Sequence, residues 1–77
     1  MTLETKLRLV LETYHNQISV LDSKAEIDRM KVVERNDLST SQFYQALSEI
    51  AMDQVEQENL RQNEAISRII TIFKEEN

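Results

Sequence analysis

The sequence predicts an all-α protein, a long antiparallel two-helix hairpin with coiled-coil-like packing, and three observations carry that prediction. The 77 residues include no glycine and no proline, the two residues on which most tight turns lean. Apolar residues recur at helical spacing through both halves of the chain. A single cluster of small polar residues separates the two patterns and marks where the chain folds back.

The first pattern runs through Leu3, Leu7, Val10, Tyr14, Ile18, Leu21 and Ala25, and continues to Arg29 and Val32. Its alternating steps of three and four residues put these side chains on one face of a helix over about residues 2–35. The break falls in Asn36-Asp37-Leu38-Ser39-Thr40-Ser41-Gln42-Phe43, with the turn itself at 36–40. Asn36 tolerates the left-handed conformation that ends many helices. Ser39 followed three residues later by Gln42 has the form of a capping box, and Leu38 with Phe43 has the form of a hydrophobic staple around it.

The second pattern, over about residues 40–75, runs through Tyr44, Leu47, Ala51, Val55, Glu58, Gln62, Ile66, Ile69 and Phe73. Both stripes repeat at eleven residues, near 3.67 residues per turn, which favours straight or slightly right-handed packing over a left-handed heptad supercoil. Folding about Leu38 brings the stripes into one antiparallel register, with Leu3 beside Phe73, Val10 beside Ile66, Ala25 beside Ala51 and Val32 beside Tyr44. The chain is thus read as a single domain, residues 1–77. The polar run Asp53-Gln54-Val55-Glu56-Gln57-Glu58-Asn59-Leu60-Arg61-Gln62-Asn63-Glu64 leaves an alternative open, in which the second helix breaks and a third results.

Charge is divided unevenly. Up to Arg35 the six basic residues Lys6, Arg8, Lys24, Arg29, Lys31 and Arg35 balance six acidic ones, so the net charge of −5 lies in the remainder. That balance argues against nucleic acid as a partner. There is no cysteine, hence no disulfide or thiolate metal site. No apolar run is long enough for a secretory signal or a membrane span, and a cytoplasmic location is expected.

Catalysis is not expected either. Glu12-Thr13-Tyr14-His15 has the Glu-x-x-His spacing of di-iron bundles, yet neither ligand falls on the apolar stripe and no second copy of the motif exists. With one histidine and so short a chain, no catalytic residue, metal site, cofactor site or small-molecule substrate is assigned. The charged residues Asp22, Lys24, Glu26, Asp28, Arg29, Lys31, Glu34 and Arg35 interleave in sign, as on a solvated helical face.

Apolar residues away from the two stripes need a different role. Leu9, Val20 and Ile27 share one line of the first helix, roughly 140° from its stripe at about 100° per residue. Phe43, Ile50 and Leu60 lie off the stripe of the second. These six form the expected partner-binding set, for a helical partner protein or for a second copy of the chain.

The opening Met1-Thr2-Leu3-Glu4-Thr5-Lys6-Leu7, the stretch Asn63-Glu64-Ala65-Ile66-Ser67-Arg68-Ile69-Ile70 and the tetrad Gln42-Phe43-Tyr44-Gln45 resemble a family of very small type III secretion proteins. Members are helical hairpins that act as co-chaperones of the needle subunit, holding it unpolymerised in the cytoplasm together with a second, helical-repeat chaperone. The resemblance implies a small chaperone or adaptor, with Leu9, Val20 and Ile27 as contacts for the second chaperone. The alternative expectation is a self-associating acidic regulator or inhibitor of phage or plasmid type that occupies a basic protein surface.

Overall fold

A computed structural model describes residues 1–76; Asn77, the last residue of the expected domain, lies outside them. The chain forms two helices, α1 (Leu3–Val33) and α2 (Thr40–Glu76), packed side by side as an antiparallel hairpin. The molecule is a flat rod with principal extents of 58 × 15 × 8 Å. No helix among the described residues is long and apolar enough to cross a membrane.

Each helix end has an identifiable cause. Thr2 caps α1, its hydroxyl accepting from the Thr5 N–H at 3.1 Å, which satisfies one of the amides a helix leaves open. At the other end Asn36 does not adopt the left-handed conformation expected of it, since none of the described residues has positive φ. Instead the helix closes through a tightened turn: the Glu34 N–H donates to the Met30 carbonyl and the Arg35 N–H to the Val32 carbonyl, both at 3.1 Å. With no glycine available, this ending avoids placing a Cβ in the left-handed region. The Arg35 guanidinium then grips Asp37 through two bonds of 3.0 and 2.7 Å.

The start of α2 matches the capping-box expectation. Gln42 N–H donates to Ser39 Oγ at 3.2 Å, and Ser39 N–H donates to Gln42 Oε1 at 2.9 Å. Leu38 and Phe43, on either side of the box, are both half-buried. From there α2 runs unbroken through Asp53–Glu64, so the three-helix alternative is set aside. Polarity by itself does not interrupt a helix; that stretch is rich in Glu and Gln, which are good helix formers, and Arg61 pairs with Glu64 along the helix at 2.9 Å.

The inward face of α1 is the expected stripe. Val10 and Ala25 are buried, and Leu3, Leu7, Tyr14, Ile18, Leu21, Arg29 and Val32 are half-buried. The inward face of α2 is corrected by one residue at most levels. Phe43 stands where Tyr44 was expected, Ile50 for Ala51, Gln54 for Val55, Arg61 for Gln62, Ala65 for Ile66 and Ile72 for Phe73, whereas Leu47, Glu58 and Ile69 keep their places. The sequence carries doublets at these levels, Phe43-Tyr44, Ile50-Ala51, Ala65-Ile66 and Ile72-Phe73, so two adjacent stripes share one period. Packing takes the stripe that holds Ala65, beside Val10 and Tyr14, where a small residue lets the helices approach.

Contacts hold the hairpin at three levels. At the open end Lys6 Nζ meets Glu76 Oε1 at 3.0 Å, which sets the first and last turns side by side as expected. At mid-length Asp22 and Arg29 meet Gln54. Near the turn Val32 and Ala46 line one shallow groove together with Ala25 and Ile50.

Candidate functional site

Two features of the hairpin are exceptions to its apolar packing: a polar layer at mid-length, and apolar residues that the two helices leave uncovered. In the polar layer Gln54 is the hub. Its amide nitrogen donates to Asp22 Oδ1 at 2.8 Å and to Glu58 Oε1 at 3.4 Å, while its carbonyl oxygen accepts from Arg29 Nη1 at 3.1 Å. Asp22 is held below the usual carboxylate range by hydrogen bonding from Glu58 and Gln54, with Arg29 adding attraction. Glu58 is pushed upward, chiefly because it shares a hydrogen bond with Asp22. Two carboxyls on one proton is the arrangement that such opposite shifts describe. This satisfies Glu58, a carboxylate on the inward stripe of α2.

The uncovered apolar residues fall on two sides. On one side, Val20 shares a depression with Gln17, Leu21 and Arg61, and the groove lined by Leu21, Lys24, Asp28, Ala46, Ile50 and Asp53 opens in the same direction. On this side Val20 is 69% exposed, and Leu9, Ile27 and Leu60 are also exposed. Phe43 and Ile50 are less open than these: both are half-buried, as the one-residue rotation of α2 requires, and Ile50 forms part of the wall of that groove, so their expected place on a fully outward partner face is corrected.

The other side was missed by the sequence reading. Leu11, Asp22 and Val33 lie eleven residues apart on one line of α1, and Tyr44, Val55 and Ile66 lie eleven apart on one line of α2. Asp22 reaches Gln54 and Glu58 across this side, away from the groove that holds Lys24, Asp28 and Asp53. Stepping along both helices from Asp22 and Val55 sets Leu11 level with Ile66 and Val33 level with Tyr44. Tyr44 is 64% and Val55 57% exposed, and Ile66, Ile70 and Phe73 are about half exposed. The signal was present in the doublets, but it was assigned to the inside of the hairpin.

The amount of surface left open is itself informative. The chain exposes 6011 Å², whereas a compact monomer of 9.1 kDa exposes roughly 4,900 Å². Its buried apolar residues are Val10, Ala25 and Ala65 alone among those described, a core without a single large side chain.

Glu12 and His15 are both exposed, with the His15 ring tilted against Tyr14 at 5.9 Å between centroids. Among the described residues no cluster of three or more His, Cys, Asp and Glu side chains is placed to hold a metal ion. The class defined by this geometry is a two-helix hairpin whose apolar surface exceeds what it can cover. Comparison with protein-family models, with curated proteins and with solved structures found no match.

Proposed function

We propose that this hairpin is a non-catalytic protein-binding module, a small chaperone or adaptor that completes its core by packing against a helical partner protein. The observation that carries the reading is the imbalance, among the described residues, between three small buried apolar residues and fourteen large apolar side chains left exposed. A 77-residue chain sits near the size at which one core can offset the entropy of ordering, and helix-in-groove packing is the usual way to cover an amphipathic face. The face assigned to the partner is the line of Leu9, Val20 and Ile27 with Leu60, all exposed. The resemblance to type III secretion co-chaperones gives the same reading a cytoplasmic setting and a secreted, self-polymerising client.

The test is affinity purification of the tagged chain from its native host. A helical protein in stoichiometric yield, lost with Val20→Asp and Ile27→Asp but kept by a surface control such as Glu56→Gln, supports the proposal. Recovery of no stoichiometric partner by the unaltered chain overturns it. A second reading, an acidic regulator that sits on a basic protein surface, draws support from α2, where Glu49, Asp53, Glu56 and Glu64 are all exposed. It predicts binding that weakens steeply with salt, whereas apolar packing of α1 does not.

A further inference from the structure

We infer that the side of the hairpin carrying Leu11 and Val33 of α1 and Tyr44, Val55, Ile66 and Phe73 of α2 is a self-association face, covered by the same face of a second copy in a four-helix bundle. It is a different surface from the Val20 side and its occupant is a second hairpin, so the inference stands independently of the adaptor reading.

Charge is the first reason. Nearly a third of the chain is charged, and with a net charge of −5 two copies repel unless their acids point apart. At about 100° per residue, the outward line of α2 on this side reads Tyr44, Ser48, Ala51, Val55, Asn59, Gln62, Ile66, Ile70 and Phe73, without one ionisable acid or base besides the tyrosine. The exposed acids Glu49, Asp53, Glu56 and Glu64 occupy other faces of α2, and stacking on this side keeps them remote from their counterparts, while α1 brings Glu4, Arg8, His15, Asp22 and Glu26 to the face in mixed sign, Glu4 paired with Arg8 at 2.8 Å.

The second reason is that the pattern is its own complement. The polar layer of Asp22, Arg29, Gln54 and Glu58 lies at mid-length, with apolar levels toward both ends, Leu11 beside Ile66 and Val33 beside Tyr44. A two-fold axis in the plane of the face maps polar onto polar and apolar onto apolar, which is the condition for an isologous dimer. A buried polar layer flanked by apolar ones is also a device that fixes register in helical bundles. The eleven-residue spacing of these lines gives them only a slight right-handed drift along the rod, so one side of each helix carries the line from end to end.

Size is the third reason. A face 58 Å by 15 Å offers on the order of 900 Å² per protomer, close to the roughly 800 Å² per partner of a stable interface. Covering it removes most of the surface that the isolated hairpin carries in excess.

The experiment uses the full chain. Sedimentation equilibrium of the purified protein gives twice the mass of 9.1 kDa, and its Tm rises over a roughly hundredfold range of protein concentration, as linkage demands of a dimer. Val55→Asp and Ile66→Asp weaken the dimer by about a hundredfold or more through a buried, unpaired charge, whereas Val20→Asp on the opposite side leaves mass and Tm unchanged. A wild-type monomer whose Tm is independent of concentration overturns the inference, whether or not the variants fold. A dimer broken by Val20→Asp and untouched by Val55→Asp overturns it equally. Loss of the heterologous partner in the host with the dimer intact tells against the adaptor reading alone.

Discussion

Glu58 shows how a residue that breaks a pattern is accommodated. It interrupts the apolar stripe of α2, yet it lies half-buried and shares hydrogen bonding with Asp22 and Gln54. The pH consequence follows from the two opposite shifts. Glu58 is raised, so its contribution is complete below the unfolded value of 4.5 and is lost as pH rises through the folded value. Asp22 is lowered, so its contribution is present above 3.8 and is lost as pH falls through the folded value. The pair is therefore most stabilising in the mildly acidic window where one proton is shared. Glu58→Gln supplies a permanent neutral donor to Asp22, so its melting temperature should exceed that of wild type at neutral pH and converge with it in that window. Circular dichroism melts at the two pH values check this, and a constant difference would remove the shared proton. Ser39 gives a simpler case: Ser39→Ala removes one half of the capping box and should lower unfolding free energy by about 1 kcal/mol in urea titrations.

At the scale of the element, both helices and the turn were legible because each depends on local chemistry. The apolar steps of α1 identified its inward face, because the adjoining line of Leu11 and Val33 is interrupted by Asp22 where Leu21 continues the inward one. The capping box at Ser39 and Gln42 located the start of α2, because its bonds lie within four residues. The ending of α1 was less legible. Asn36 only permits a left-handed cap, and the tightened turn with the Arg35 to Asp37 clasp was the competing solution. The continuity of α2 also lay beyond periodicity, since its polar middle has no strong amphipathic signal while its residues favour a helix by propensity. Glu56→Pro tests that continuity. In an unbroken helix it should cost about 3 kcal/mol and reduce ellipticity, whereas a natural break at that place would tolerate it.

For the whole molecule, the two sides of the hairpin differ in what they can do. Leu7 and Ile69 belong to the contact between helices, so Leu7→Asp or Ile69→Asp should cost several kcal/mol and abolish the cooperative melt, while Val20→Asp should leave it intact. Unfolding by Val20→Asp in circular dichroism would mean that the faces of α1 are assigned wrongly. The salt bridge from Lys6 to Glu76 ties the ends but is partly solvated, and Lys6→Ala should cost well under about 1 kcal/mol. The chain's own residues determined that it is helical, that it folds back near Leu38, and which face of α1 turns inward, because each follows from propensity, capping and period along a single helix. Only the tertiary structure decided which of two neighbouring stripes of α2 meets α1. The stripes differ by one residue and share a period, so the choice rests on how closely Ala65 lets the helices approach and on how Gln54 joins Asp22 to Arg29. Both are interactions between segments distant in sequence, and they send Phe43 and Ile50 inward while leaving Tyr44, Val55 and Ile66 outside.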